Sequence, residues 1–199
     1  MKLYYTPGAC SLAAHIVARE AGLPLSLEKV DLATGKTESG ADFKAINPKG
    51  YVPALQLDDG SILTEGPAVL QYLADLKPGS GLAPPAASFE RYRLQEHLTF
   101  INSEVHKGYA PLFNPAAPKE MRPFQLGALR RRYAFLEQSL QGRAFLTGQT
   151  FTVADAYLFV VTTWAEHVQL DLTPWPNVLA FQARVAARPA VKAAMAAED

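Results

Sequence analysis

The segment Tyr5-Thr6-Pro7-Gly8-Ala9-Cys10-Ser11 joins a short strand to an amphipathic helix and contains the single cysteine of the chain. Lys2 to Thr6 has the pattern of a strand, and from Ser11 to Ala21 apolar residues recur every three or four positions. The segment therefore predicts a thiol at the start of a helix, where unpaired N–H groups and the macrodipole favour a thiolate. On composition alone, a lone cysteine is more often a small buried apolar residue.

The residues around this segment predict a small α/β domain. A second strand from Leu25 to about Leu32 completes a β-α-β unit with parallel strands. Residues 33–50 are polar and broken by glycine, which indicates a loop with a short irregular helix. Two apolar runs around Asp58-Asp59-Gly60 predict a hairpin, and Gly66-Pro67 opens the next helix. Pro53 predicts an edge position or a cis peptide in a tight bend.

Beyond residue 78 the pattern becomes helical throughout. We predict a first domain over residues 1–78, a Pro- and Gly-rich linker over 79–87 and an all-helical domain over 88–199. Gly108 is expected to end the first helix of that domain. Thr152 and Asp155 predict a capping box before a helix that is apolar on nearly every face, as in the middle of a bundle.

Composition restricts the function classes. The 19 basic and 19 acidic residues cancel, so no nucleic-acid partner is expected. The four histidines show no metal-ligand spacing, and we expect no metal. No apolar run reaches the roughly 20 residues of a membrane span, and the strand pattern from Met1 leaves no room for a signal peptide. One cysteine excludes an internal disulfide. We therefore expect a cytoplasmic protein without a membrane partner.

Five motifs in this order resemble the cytosolic glutathione transferases, and a cysteine in the first motif is similar to the bacterial beta class. The resemblance covers the whole chain and implies a thioredoxin-like α/β N-terminal domain, an all-α C-terminal domain and a homodimer. The motifs are Tyr5-Thr6-Pro7-Gly8-Ala9-Cys10-Ser11, Asn47-Pro48-Lys49-Gly50-Tyr51-Val52-Pro53, Leu63-Thr64-Glu65-Gly66-Pro67-Ala68, Ser103-Glu104-Val105-His106-Lys107-Gly108 and Phe151-Thr152-Val153-Ala154-Asp155.

The resemblance implies a glutathione site in the first domain. Val52, before a cis Pro53, would pair its backbone with the cysteinyl part of the tripeptide as a strand pairs with a sheet edge. Glu65 would accept from the γ-glutamyl ammonium, and the Gly66 N–H would hold the adjacent carboxylate. Cys10 would face the glutathione sulphur. Each residue also has a structural interpretation: Glu65 as a first-turn acid, and Pro53 as an edge-strand proline.

The helical domain would contribute His106 as a second catalytic residue, with Ser103 and Glu104 as further glutathione ligands. His106 is also consistent with a surface residue near a helix C-terminus. Additional candidates are Tyr5, Ser11, Lys36, Thr99 and Lys107.

The sequence departs from the beta-class pattern at three positions. The family often has a lysine where this chain has Gly35, with Lys36 beside it, and often a serine where this chain has Gly66. Thr99 replaces an asparagine. We expect glutathione binding to survive these changes.

The implied reaction is attack of the glutathione thiolate on a small apolar electrophile. The thiolate would be stabilised by Cys10, by the N-terminal end of its helix and by His106. Tyr5 and Ser11 are the alternative residues for this role. The electrophile pocket would include Ala9, Tyr109, Leu112, Phe113 and Trp164. One alternative is a thiol transferase, reductive dehalogenase or peroxidase working through a mixed disulfide of Cys10 with glutathione. Another is a non-catalytic binding or stress protein on the same fold.

Overall fold

The computed structural model describes residues 1–198, which form two compact units. Unit 1 comprises residues 1–83 and 188–198, and unit 2 comprises residues 84–187. The end of the chain therefore packs with unit 1, although the sequence pattern assigned residues 88–199 to the helical domain. The first cut, between residues 83 and 84, falls inside the predicted linker.

Unit 1 contains a five-stranded mixed sheet in the order β3-β2-β1-β4-β5. Strands β1 and β2 are parallel, as the β-α-β pattern predicts, and the remaining neighbours are antiparallel. The sequence missed β3, because two residues inside a polar loop give no detectable alternation. The strand bounds are β1 Lys2–Tyr5, β2 Ser26–Asp31, β3 Lys36–Thr37, β4 Ala54–Gln56 and β5 Ile62–Thr64.

Unit 1 also contains four described α-helices: α1 Ser11–Glu20, α2 Phe43–Ile46, α3 Gly66–Asp75 and α9 Pro189–Glu198. Helix α1 is central, because it packs against β1, α3 and α9. Its apolar face is completely buried, with Ile16 and Val17 at 0% exposure. Burying such a side chain contributes about 1.5–3 kcal/mol, so the packing of α1 fixes the segment that precedes it.

Unit 2 is almost entirely helical. Its helices are α4 Phe89–Phe100, α5 Lys107–Phe113, α6 Met121–Ser139, α7 Val153–His167 and α8 Pro176–Ala186. Helix α7 is buried along nearly its whole length, as its apolar sequence predicts. The predicted capping box is present: the Thr152 side chain accepts from the backbone N–H of Asp155, and the Asp155 carboxylate accepts from the backbone N–H of Thr152 at 2.8 Å. The described chain contains no helix that is long and apolar enough to cross a membrane.

The prediction that Gly108 ends a helix is wrong. A π-helical segment, Ile101–His106, connects α4 directly to α5, and Gly108 lies inside the continuous helix. A Cβ at Gly108 would approach Leu129 Cδ2 to 2.8 Å. A side chain at this position would displace the Leu129 side chain, so the glycine favours close packing of α5 on α6, and a helix terminus does not explain it.

Candidate functional site

Cys10 lies directly before α1, as predicted, and its side chain is half-buried. Its Sγ donates a hydrogen bond of 3.4 Å to the carbonyl oxygen of Val52. Cys10 makes no side-chain capping hydrogen bond to α1, and the Leu12 and Ala13 N–H groups of the first turn donate to the carbonyl oxygens of Ala9 and Cys10. The fold thus brings together two residues that are 42 positions apart in the sequence.

The Val52–Pro53 peptide bond is cis, as predicted. Within residues 1–198, the Val52 carbonyl accepts from Cys10, and the Val52 N–H donates no hydrogen bond. The segment precedes β4, an interior strand that pairs with β1 and β5 from Ala54 onward, so Val52 lies beyond the paired residues, where its backbone could pair with an extended peptide.

Glu65 has an unusual backbone conformation, with φ 73° and ψ 114°. An L-residue in this left-handed region costs about 1–3 kcal/mol, and such strain concentrates at functional sites. Glu65 directly precedes α3, and the N–H of Gly66 makes no hydrogen bond within the described residues. A carboxylate and a helix N-terminal donor therefore lie side by side.

The Glu65 carboxylate already has partners. Its Oε1 accepts hydrogen bonds from Lys49 Nζ and from the Tyr51 hydroxyl, the latter at 2.8 Å. The hydrogen bond to Glu65 raises the pKa of both Lys49 and Tyr51. Both Lys49 and Glu65 are about half exposed, at 46% and 48%, so a ligand in solvent can reach this pair.

The other unit 1 candidates differ in accessibility. Ser11 is fully buried, and its Oγ donates to the Thr6 carbonyl oxygen at 3.3 Å. Tyr5 is buried as well, and burial raises the pKa of its phenol. Lys36 lies exposed on β3. Ser11 and Tyr5 are therefore packed into the fold around Cys10, whereas Lys36 remains available to solvent.

In unit 2, His106 ends the π-helical segment and lies among aromatic rings. Its Nδ1 is 2.6 Å from the Tyr157 hydroxyl, and its ring meets Trp164 edge to face with centroids 4.8 Å apart. Burial, followed by the charge of Lys107, lowers the pKa of His106 to about 4. The imidazole is therefore neutral near pH 7.

The neighbouring candidates lie along the same helical stretch. Ser103 is exposed and donates to the Thr99 carbonyl oxygen at 2.9 Å. Glu104 pairs with Arg132 of α6, and Lys107 is exposed. The structure thus brings Thr99 and Ser103 together but turns Glu104 towards α6. A π-helical turn places these residues differently from the α-helical spacing that the sequence suggested.

Comparison with known proteins decides the family. Residues 8–76 match the model of the glutathione S-transferase N-terminal domain, and residues 100–189 match that of the C-terminal domain. The chain is 48% identical over its full length to glutathione S-transferase GstA of Escherichia coli O157:H7, covering 98% of that protein. The chain belongs to the glutathione S-transferase family. This membership confirms the predicted fold class and the enzyme class.

Solved structures of this family agree with the fold over the full chain. A sphingomonad glutathione S-transferase in complex with glutathione matches with a TM-score of 0.97 and 48% identity. The match covers 100% of this chain and 98% of that one. A bacterial beta class enzyme from Sphingomonas chungbukensis matches with a TM-score of 0.97 and 47% identity over the same shares. These matches confirm the resemblance to the bacterial beta class.

Four polar residues that lie near the candidate site residues were not predicted from the sequence as site residues. Lys49 and Tyr51 lie within the second motif, so their proximity to Glu65 could have been suspected from the motif itself. Asn102 lies one position before the fourth motif. Tyr157 gave no signal, because a tyrosine in an almost wholly apolar helix resembles core.

The residues expected at the electrophile pocket are divided between the two units. Tyr109, Phe113 and Trp164 form one aromatic cluster in unit 2, with ring centroids 5.7–6.2 Å apart. Leu112 lines a neighbouring cavity of about 150 Å³ that also includes Met121 and Arg122. Ala9 packs in unit 1 against the cluster around Tyr4 and Phe43. Among the described residues, no group of three or more His, Cys, Asp or Glu side chains could hold a metal ion.

Proposed function

We propose that the chain transfers the glutathione thiolate to small apolar electrophiles, and that Cys10 lies at the glutathione sulphur. The observation that carries this proposal is the hydrogen bond from Cys10 Sγ to the Val52 carbonyl oxygen at the start of α1. This hydrogen bond holds the Cys10 sulphur beside the backbone that the family resemblance assigns to the cysteinyl group. The complex of the sphingomonad enzyme with glutathione supports glutathione as the co-substrate.

The backbone around Val52 supplies the means to orient the tripeptide. Its N–H is available, and its carbonyl oxygen needs only to exchange the Cys10 thiol for a glutathione N–H. An extended peptide pairing there would gain two main-chain hydrogen bonds. Cys10, released from Val52, would then be able to donate its thiol proton to the glutathione sulphur and favour the thiolate.

The charged end of glutathione is proposed to bind at Glu65 and Gly66. The γ-glutamyl ammonium would replace Lys49 Nζ on the Glu65 carboxylate, since Lys49 is half exposed and can move into solvent. The adjacent carboxylate would accept from the Gly66 N–H at the start of α3, where the macrodipole favours an anion.

The chemical step requires a thiolate and a held electrophile. The glutathione sulphur forms a bond to the electrophilic carbon while the leaving group departs with its bonding electrons. Hydrogen-bond donors near the sulphur lower its pKa and raise the thiolate fraction at neutral pH. His106, Ser103, Glu104, Thr99 and Lys107 are proposed as further glutathione ligands, and the aromatic cluster of Tyr109, Phe113 and Trp164 as part of the electrophile pocket.

The proposal extends to the oligomeric state and the cellular location of the protein. We propose a homodimer, and the exposure of Phe89 and Tyr92 on α4, at 67% and 59%, supports an apolar face that a second copy covers. We also propose a cytoplasmic location, because a reduced Cys10 suits a reducing compartment.

A second candidate function is thiol transfer through a mixed disulfide. Its support is that Cys10 is in no disulfide and is only half-buried, so its sulphur can react. The Cys10 thiolate would attack a disulfide containing glutathione, form Cys10–S–S–glutathione and release the other thiol. A second glutathione thiolate would then release Cys10 and form oxidised glutathione, which balances the exchange.

The test combines ligand binding with turnover. Millimolar glutathione should raise the melting temperature of the protein, and a chlorinated nitroaromatic should be conjugated. Cys10→Ala should reduce conjugation and abolish glutathionylation of the intact protein seen by mass spectrometry, whereas Cys10→Ser should retain more conjugation because its hydroxyl still donates. A melting temperature that glutathione leaves unchanged, together with no turnover, would contradict both enzyme functions and favour a non-catalytic protein.

A further inference from the structure

A chain of hydrogen bonds in unit 2 determines which ring nitrogen of His106 carries the proton. The Tyr157 hydroxyl lies 3.0 Å from Asn102 Oδ1, and His106 Nδ1 lies 2.6 Å from the same hydroxyl. A phenol hydroxyl has one proton to donate. With that proton given to Asn102, the hydroxyl can meet His106 only as an acceptor, so the ring proton is on Nδ1.

The second ring nitrogen of His106 is consequently unprotonated. A neutral imidazole has one N–H, and its other nitrogen is an acceptor. Within the described residues, Nε2 makes no hydrogen bond, and it is not among the buried side-chain atoms without a partner. Solvent, or a ligand, therefore reaches the Nε2 lone pair.

We propose that Tyr157 and Asn102 are positioning residues that hold His106 in the Nδ1–H tautomer, so that Nε2 meets a bound ligand as a hydrogen-bond acceptor. The ring is also held in orientation by Trp164, which meets it edge to face. Tyr157 itself is 1% exposed within α7, so its hydroxyl has little freedom to turn away. Burial keeps His106 neutral across the physiological pH range, which this arrangement requires.

The Nε2 lone pair accepts a hydrogen bond only from a ligand group that carries a proton, such as the peptide N–H groups or the un-ionised thiol of glutathione. A glutathione thiolate has no proton to donate. The inference thus rests on the proposed function for the identity of the ligand and assigns His106 to accepting a hydrogen bond from glutathione.

The tautomer can be measured without any ligand, by the ¹⁵N chemical shifts of the His106 ring, assigned with His106→Gln. The protein should show a protonated Nδ1 and an unprotonated Nε2. Asn102→Leu should reverse this, because the Tyr157 proton then turns to Nδ1 and the ring proton moves to Nε2. Tyr157→Phe should remove the preference for Nδ1–H. A protonated Nε2 in the unmodified protein would overturn the proposal.

Tyr133→Phe is the matched control. It also removes a buried tyrosine hydroxyl in unit 2, one that is 2.6 Å from the Tyr109 hydroxyl and 3.3 Å from Thr162 Oγ1, and it should leave the His106 shifts unchanged. Because one neutral hydrogen bond is at stake, Tyr157→Phe should raise KM for glutathione roughly 3- to 10-fold with kcat within about twofold. Tyr133→Phe should change KM less than about twofold.

The outcomes separate this inference from the proposed function. If the tautomer is as expected but the unmodified protein neither binds nor turns over glutathione, the proposed function fails and the positioning of His106 remains. If turnover is normal and Tyr157→Phe changes the tautomer without changing KM, the acceptor role of Nε2 is wrong. A variant that fails to fold is recognised by its loss of dispersed spectra, and Asn102→Leu, at a partly exposed position, then provides the tautomer test.

Discussion

Both ring nitrogens of His15 make hydrogen bonds to other side chains, whereas only Nδ1 of His106 does so among the described residues. His15 Nε2 accepts from Arg19 Nε at 2.8 Å, so its proton is on Nδ1, which lies 3.0 Å from the Glu198 carboxylate. His15 and Glu198 are both 3% exposed in their side chains. His106 Nδ1 makes a hydrogen bond to the Tyr157 hydroxyl, and Nε2 makes none within the described residues.

The difference shows how a histidine becomes structural or functional. Helix α9 packs on α1, and the buried contact between His15 and Glu198 joins those two helices. No position remains on His15 for a ligand. His106 has one anchored nitrogen and one accessible nitrogen, which is the arrangement a binding residue needs.

The largest expected effect comes from removing the buried contact between His15 and Glu198. Glu198→Ala should lower the free energy of unfolding by about 3 kcal/mol, because it leaves the His15 N–H buried without an acceptor and removes packing of α9 on α1. Glu198→Gln keeps an acceptor oxygen and should cost about 1 kcal/mol or less. Urea unfolding measures both. Equal losses for the two variants would mean that the hydrogen bond to His15 does not hold α9.

The pH dependence of stability distinguishes His106 from an ordinary solvent-exposed histidine. Its pKa is near 6.5 when unfolded and about 4 when folded, so between these values the unfolded chain binds the proton more strongly. Lowering the pH from 7 to 4 should therefore destabilise the unmodified protein by about 2–3 kcal/mol more than His106→Asn. Urea unfolding at several pH values measures the difference. A constant difference would show that His106 is not desolvated in the folded state.

Glu65 extends the comparison to a carboxylate whose partners can exchange. Glu65→Gln should raise KM for glutathione roughly tenfold, since the ammonium loses a charged acceptor. The melting temperature should change little, because exposed ion pairs contribute little to stability. If steady-state kinetics show no change in KM, the γ-glutamyl group does not bind at Glu65.

The smallest expected effect concerns Lys49. Lys49→Met should lower KM for glutathione roughly twofold, because the ammonium of the ligand no longer competes with Lys49 for Glu65. Lys44→Met, at an exposed lysine in the same unit, serves as the control and should leave KM unchanged. An increase in KM for Lys49→Met would indicate that Lys49 itself binds glutathione.

Much of unit 1 could be predicted because its signals are local. The strand before Pro7, the helix from Ser11 and the hairpin around Gly60 each follow from spacing and turn residues. The cis peptide at Val52–Pro53, one of the two predictions for Pro53, is present, as is the predicted capping box at Asp155 in unit 2. The family resemblance then named Cys10, Val52 and Glu65 together, which their spacing alone could not do.

The remaining features depend on contacts between distant residues, and the sequence contains no sign of them. Helix α9 shows the same apolar spacing as its neighbours, so nothing in it indicates packing on α1. The π-helical segment cannot be seen in the pattern, because one extra residue per turn changes the spacing only slightly. The polar role of Tyr157 is apparent only in the structure, where its hydroxyl lies between His106 Nδ1 and Asn102 Oδ1.

The central claim is that glutathione binds along the backbone beside Cys10. Titrating the ¹⁵N-labelled protein with glutathione and following backbone amide signals tests it most directly. The Val52 and Gly66 amide signals should shift together and saturate near the KM for glutathione, because both N–H groups gain an acceptor. Conjugation that proceeds at those concentrations while both signals stay fixed would contradict the account.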